Sequence, residues 1–238
     1  MKKLISLPIA ALVLALAACG GGGSNSEPAT PVDYPLKTAY VNYVTASGSN
    51  NFTISGTYVS GGTSYPLSGS GTVTMGSLSA TTFESKVAQV KAATMTGSAT
   101  FNGITTPLNS TQYSYVDSSY APLGNSGSEY IVVTSANQIP TTGRINDTGN
   151  FYAASRYTSS AKTSQVGTRA VSYVIENNSG SNAYLTIIST DKNMAGTITS
   201  NNSAKFSMTS TGVLTRVNET GVSYSTNPTA TITLVINY

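Results

Sequence analysis

A thiol placed at the end of a short apolar run is the residue of this chain whose surroundings most clearly specify a reaction. Leu16-Ala17-Ala18-Cys19 closes the apolar stretch Leu4–Ala18, which follows Met1-Lys2-Lys3. A positive start, an apolar run too short to span a bilayer and small residues before the cut are the three parts of a secretory signal. With a thiol nucleophile at the cut the pattern is a bacterial lipobox. Residues 1–18 are then expected to be removed as a lipoprotein signal peptide, and Cys19 to carry the acyl groups as the first mature residue. Cys19 is the single cysteine of the 238-residue chain, so no internal disulfide can form. Gly20 stands where an Asp retains lipoproteins in the inner membrane of enteric bacteria, which favours the outer membrane. Several acyl chains anchor stably where one is marginal, so the expected partner is the membrane itself, reached through Cys19.

Other reactive constellations are limited by what is missing. The chain has no histidine and no tryptophan. Ser-His-Asp and Cys-His arrangements, His-based metal sites and His acid–base chemistry are therefore excluded. Asp147-Thr148-Gly149 matches the aspartic-protease triplet, but Arg144-Ile145-Asn146 is not an apolar delivering strand, and a turn with an Asx-type bond before Phe151-Tyr152 is the better reading. Ser159-Ser160-Ala161-Lys162 and Ser189-Thr190-Asp191-Lys192 fit Ser-x-x-Lys without the helix or companion elements that give the motif its chemistry. A glycosidase would need two carboxylates about 5–10 Å apart, drawn from Asp117, Glu129, Asp147, Glu176 and Asp191. The expectation is a chain without enzymatic activity, cofactor or metal. Fifteen tyrosines are the remaining chemical surplus, and Tyr113, Tyr115 and Tyr120 around Asp117 are the candidate ligand platform, weighed against ordinary half-buried strand packing.

The elements that must position these residues are strands. Residues 19–35, rich in Gly, Ser and Asn with prolines at 28, 31 and 35, read as a flexible tether after the acylated cysteine. From residue 36 to 238 Thr, Ser, Tyr, Val and Ile dominate in strand-sized runs that alternate apolar with polar side chains, interrupted by Gly or Asn-Gly. The clearest strands are Ala39–Val44, Asn51–Ser55, Gly71–Met75, Tyr130–Val133, Ala170–Ile175, Tyr184–Ile188, Lys205–Met208 and Thr231–Ile236. Phe83–Met95 carries some helix formers, yet its valines and Thr-rich flanks favour strand. Ser55–Leu67 and Thr96–Leu108 share Gly, Gly, Pro and Leu at a fixed offset, as two hairpins turned by Gly61-Gly62 and Asn102-Gly103 would. Ile232, Leu234, Ile236 and Tyr238 alternate like the last strand of a membrane β-barrel. The Ser/Thr-rich runs elsewhere lack a lipid-facing apolar row, so a closing or edge strand of a soluble domain fits better.

Charge points the same way. Lys and Arg number 12 against 9 Asp and Glu, two of the lysines lie in the signal, and the rest are scattered from Lys37 to Arg216. Nucleic acid, which calls for clustered cations, is excluded as a partner.

The Leu-Ala-Ala-Cys-Gly-Gly-Gly-Gly start, the Ser55–Thr72 segment, the turns at Ile139–Gly143 and Asp147–Gly149 and the Ser172–Glu176 strand together resemble uncharacterised outer-membrane lipoproteins of Gram-negative bacteria. The resemblance implies localisation and carries no chemistry. The expected architecture is one all-β domain over residues 36–238, an antiparallel meander closed as a barrel or folded as a two-sheet sandwich, since both satisfy period-two patterning. The expected role is a non-catalytic binding or surface-interaction module for a protein, a glycan or a hydrophobic small molecule. A lipocalin-like carrier and a structural envelope component are the alternatives.

Overall fold

The computed structural model describes residues 32–179, 181–226 and 229–238; the residues expected to form the signal peptide, Cys19 and the expected tether as far as residue 31 lie outside them. In chain order the elements are α1 (Leu36–Thr45), β1 (Gly48–Ser60), β2 (Thr63–Met75), β3 (Ser79–Phe83), β4 (Lys86–Phe101), β5 (Ile104–Val116), β6 (Pro122–Ser126), β7 (Tyr130–Ala136), β8 (Thr148–Tyr157), β9 (Gln165–Asn177), β10 (Ala183–Asn193), β11 (Ile198–Met208), β12 (Leu214–Thr226) and β13 (Thr229–Asn237). Except for β2 and β3, consecutive strands pair antiparallel, β13 returns to β1, and β2 pairs directly with β4. The result is a closed barrel of twelve strands, with β3 folded back on the start of β4 as a thirteenth. Closure leaves only the five-residue β3 as an edge strand, and it decides the architecture in favour of a barrel.

The two look-alike hairpins lie side by side. Ser60 pairs with Thr63 and Phe101 with Ile104 across two-residue turns, and the β2–β4 ladder joins one hairpin to the other. Asn102 and Gly103 both have positive φ, at 48° and 75°, as a primed turn requires. Phe83–Met95 is strand, as its valines indicate, broken only by the turn at Glu84-Ser85.

One expectation is corrected. Ala39–Val44 is not a strand but the heart of α1. Leu36, Ala39, Tyr40, Tyr43 and Val44 follow the i, i+3, i+4, i+7, i+8 spacing of a helical face. That face is buried inside the barrel, with Leu36 and Ala39 fully inaccessible. A strand at this position would point Ala39 and Tyr40 to opposite sides and could not deliver both to one core. Packing reaches back to Tyr34, whose N–H and carbonyl pair with Gly143 and whose ring is only 1% exposed.

The helix therefore plugs one end of the barrel. Beneath it Phe151, Val171, Tyr173, Ile175, Leu185 and Met208 from β8–β11 make one apolar cluster. A second forms from Phe52, Ile54, Leu67, Val73, Met95, Leu234 and Ile236 on β1, β2, β4 and β13. Ile232, Leu234 and Ile236 thus face inward, while the alternate residues Thr231, Thr233, Val235 and Asn237 share a mostly hydroxyl-bearing outer face with Thr53, Ser55, Thr57, Val59, Ser68 and Ser70. On these strands the apolar row is inside and the hydroxyl row outside, the reverse of a lipid-embedded barrel. Among the described residues no helix is long and apolar enough to cross a membrane.

Small residues allow the strands to curl tightly on the apolar side. Gly71 and Gly97 oppose each other in the β2–β4 ladder, and a Cβ on Gly97 would lie 2.3 Å from the Ser70 carbonyl oxygen and 2.7 Å from the Gly71 Cα.

Candidate functional site

The site is the barrel lumen. A partly enclosed cavity of about 700 Å³ runs from below the helix plug toward the opposite end, where the β4–β5 and β6–β7 turns lie. Its floor is built on Arg216, which donates to the hydroxyls of Tyr43 on α1 (2.7 Å) and Tyr238 (2.9 Å) and pairs with Glu219 at 2.7 Å. Burial works against the charge of Arg216, but the neighbouring Tyr43, Glu219 and Tyr238 outweigh it and raise its pKa further. Lys91 sits behind Tyr43, donating to the last carbonyls of α1 at Tyr43 (2.9 Å) and Val44 (3.1 Å). A cation at a helix C-terminus satisfies carbonyls that have no intrahelical donor, so Lys91 pins the plug. Burial, and then the charge of Arg216, push its ammonium down to about 8.

The two walls of the cavity differ in chemistry. On the β1, β2, β4, β5 and β13 side it is lined by Ile54, Val73, Ala93, Met95, Leu108 and Ile236. On the β7–β10 side Arg169 grips Asp191 with two bonds of 2.7 Å, and Arg156 grips Glu129 with bonds of 2.8 and 2.7 Å. Arg156 also lies 3.6 Å from Asp191, which is 1% exposed and accepts from the Ser200 hydroxyl at 3.1 Å. Burial opposes the charge of Arg169, and the Asp191 bonds and charge overcome it, raising its pKa. Bidentate pairing of this kind is what makes burying such charges tolerable.

Two carboxylates of the sequence candidates, Glu129 and Asp191, do meet in this wall. The guanidinium of Arg156 stands between them, and each holds an arginine through both oxygens. Such saturated carboxylates are poorly placed to transfer protons or attack a substrate. Among the described residues no group of three or more His, Cys, Asp or Glu is placed to hold a metal ion.

The tyrosine cluster of the sequence lies elsewhere. Tyr113 and Tyr115 alternate with lumen-facing Gln112 and so point to the outer face. Tyr115 stacks on Phe83 at 4.3 Å between ring centroids, and its hydroxyl meets that of Ser126 at 3.0 Å. Asp117 closes the β5–β6 turn, accepting from Ser119 N (2.8 Å), Ser119 Oγ (2.7 Å) and Ala121 N (2.9 Å). Burial tends to raise its pKa, but these bonds prevail and hold the carboxyl below its ordinary value. Tyr120 occupies that turn at φ 65°. Tyr115 and Asp117 thus have local structural partners, and Tyr113 is 41% exposed.

The chain matches no protein-family model, no curated protein and no solved structure. The reading of the site therefore rests on its geometry.

The remaining motif candidates are also placed. Asp147 lies in a turn as expected, but its bond is not of the Asx type: its carboxylate accepts from Arg144 N, three residues earlier, at 2.7 Å. Ser159–Lys162 is a turn whose lysine pairs with Glu84. Ser189 and Lys192 lie three apart on strand β10 and so face opposite sides.

Of the lumen charges the sequence singles out Glu129 and Asp191 alone, because Arg156, Arg169, Arg216 and Glu219 belong to no motif; the β9–β10 ladder sets Arg169 against Asp191, β12 itself carries Arg216 and Glu219, and closure gathers the pairs around one lumen. A faint signal exists. Arg169 falls on the same alternating face as Val171, Tyr173 and Ile175, and a charge in an apolar register must be buried and paired.

Proposed function

We propose that this chain is a non-catalytic binding module that holds a small molecule in its barrel lumen and is carried at the outer membrane by a lipid on Cys19. The observation that supports the lumen reading most strongly is the cavity of about 700 Å³, apolar on the Ile54–Met95–Ile236 side and charged on the Arg156–Arg169 side. Small-molecule sites have this character: a few hundred to a thousand cubic ångströms, mostly apolar walls and a small set of placed polar groups. Side chains just fill barrels of about eight strands, and larger ones enclose cavities or channels, so twelve strands leave room for a ligand between the two walls. The lipid anchor rests on the Leu16–Cys19 pattern and on the Gly-rich segment after it. It leaves the barrel free to carry the binding role, with its hydroxyl-rich face toward water.

The test is native mass spectrometry of the protein purified from the cells that make it. A co-purified small molecule is expected, absent from a Ser110→Trp variant that fills the lumen. Ser110 pairs with Met95 across the β4–β5 ladder and lines the cavity. A bare protein mass in both, with no ligand taken up on incubation with lipid extract, would overturn the reading.

A further inference from the structure

Resting on the lumen as the binding site, we infer that its ligand is an amphipathic molecule whose head group has no net charge but carries both hydrogen-bond donors and acceptors. The apolar body lies along Ile54, Val73, Met95, Leu108 and Ile236, and the head meets Arg156, Arg169 and Asp191.

The inference begins with a charge balance. The cavity is lined by three arginines and three carboxylates, Arg156 with Glu129, Arg169 with Asp191, and Arg216 with Glu219. Lys91, the next cation, is behind the floor and is taken up by helix carbonyls. The arginines are 11–17% exposed and Asp191 only 1%, so the pairs sit in a weakly screened environment. An anionic or cationic head entering there would have no partner free of its own counter-charge, and an uncompensated buried charge is strongly unfavourable.

The unused hydrogen-bonding groups then fix the kind of neutral head. Arg156 and Arg169 each spend Nε and Nη2 on a carboxylate, and no hydrogen bond among the described residues uses Nη1 of either. Two donors therefore await acceptors. Just behind the cavity-lining Asp191 and Ser200, the fully buried Asn202 leaves its Oδ1 without a donor, and the hydroxyl of its cross-strand neighbour Ser189 is also unpartnered. Buried polar atoms of this kind are satisfied in the working state by water or ligand. A carboxylate offers acceptors alone. A polyhydroxylated or amide head offers both.

The experiment is calorimetric titration of the mature chain with four probes of equal tail length, all below micelle-forming concentration: octyl glucoside, octylphosphocholine, octanoate and octyltrimethylammonium. Octyl glucoside is expected to bind at least tenfold tighter than either charged probe and tighter than octylphosphocholine, whose neutral head has no hydrogen-bond donor, and Ser110→Trp to abolish that binding. Ser110 is exposed to the lumen, so its replacement perturbs no packed core. Octanoate, octyltrimethylammonium or octylphosphocholine binding as tightly, still lost in Ser110→Trp, would overturn the head-group inference and leave the lumen reading standing. Binding by none of the four probes, or binding indifferent to Ser110→Trp, would overturn both.

Discussion

Replacing Asp191 by Asn tests whether the charged wall is held by pairing. The carboxylate is 1% exposed, holds Arg169 through two bonds of 2.7 Å, lies 3.6 Å from Arg156 and accepts from Ser200. The amide keeps the shape but removes the charge, so Arg169 loses its counter-ion and one acceptor becomes a donor facing it. Breaking one side of a buried pair costs about 3–5 kcal/mol. For a domain of this size that corresponds to a fall of roughly 6–20 °C in Tm. Arg169→Gln alone should be costly as well, while the double variant should recover part of the loss, because two neutral amides can bond to each other. Urea unfolding followed by circular dichroism measures all three. A loss below about 1 kcal/mol for Asp191→Asn, or strict additivity in the double variant, would show that water screens this wall and that the pair is not desolvated.

Further expectations follow from other parts of the barrel. Because the folded-state pKa of Lys91 is depressed to about 8, the unfolded chain binds the extra proton between pH 8 and 10. Wild type should therefore gain about 2 kcal/mol over that interval relative to Lys91→Met, and equal pH dependence of the two unfolding curves would contradict it. Above pH 10 the tyrosines with raised pKa, Tyr40, Tyr130 and Tyr238, reverse the trend in both proteins, since unfolding frees their hydroxyls to ionise. Gly97→Ala forces a methyl against the Ser70 carbonyl and the Gly71 backbone, and should cost about 1–3 kcal/mol as overpacking does. Asn102→Ala should lose roughly 1 kcal/mol, since alanine is strained at the left-handed φ of 48°, read as a lowered urea midpoint with unchanged slope.

How far the sequence carried can be argued from particular elements. Asn51–Ser55, Ala170–Ile175 and Thr231–Ile236 were legible as strands because alternation is a local property, and Asn102-Gly103 was legible as a turn because positive φ at two successive residues is a local demand. Barrel against sandwich was not legible, since the ladders between β13 and β1 and between β2 and β4 are long-range. Helix α1 was misread because Tyr and Val favour strands on average, whereas the 3.6-residue spacing of Leu36, Ala39, Tyr40, Tyr43 and Val44 decides the matter once a lumen exists to receive that face. The charged wall was the least legible part. Glu129, Arg156, Arg169 and Asp191 come from four different stretches between the β6–β7 turn and β10, and nothing in those stretches says which of the four meet.

The measurement that bears most directly on the central claim is a methyl NMR titration of the mature chain with octyl glucoside, observing the methionines. Met95 lines the lumen, Met208 is fully buried beneath the plug, and Met194 is exposed in the β10–β11 turn. The account predicts a saturable shift of the Met95 methyl with Met208 and Met194 unmoved. Shifts confined to Met194, or a Met95 signal unchanged at saturating probe, would contradict it.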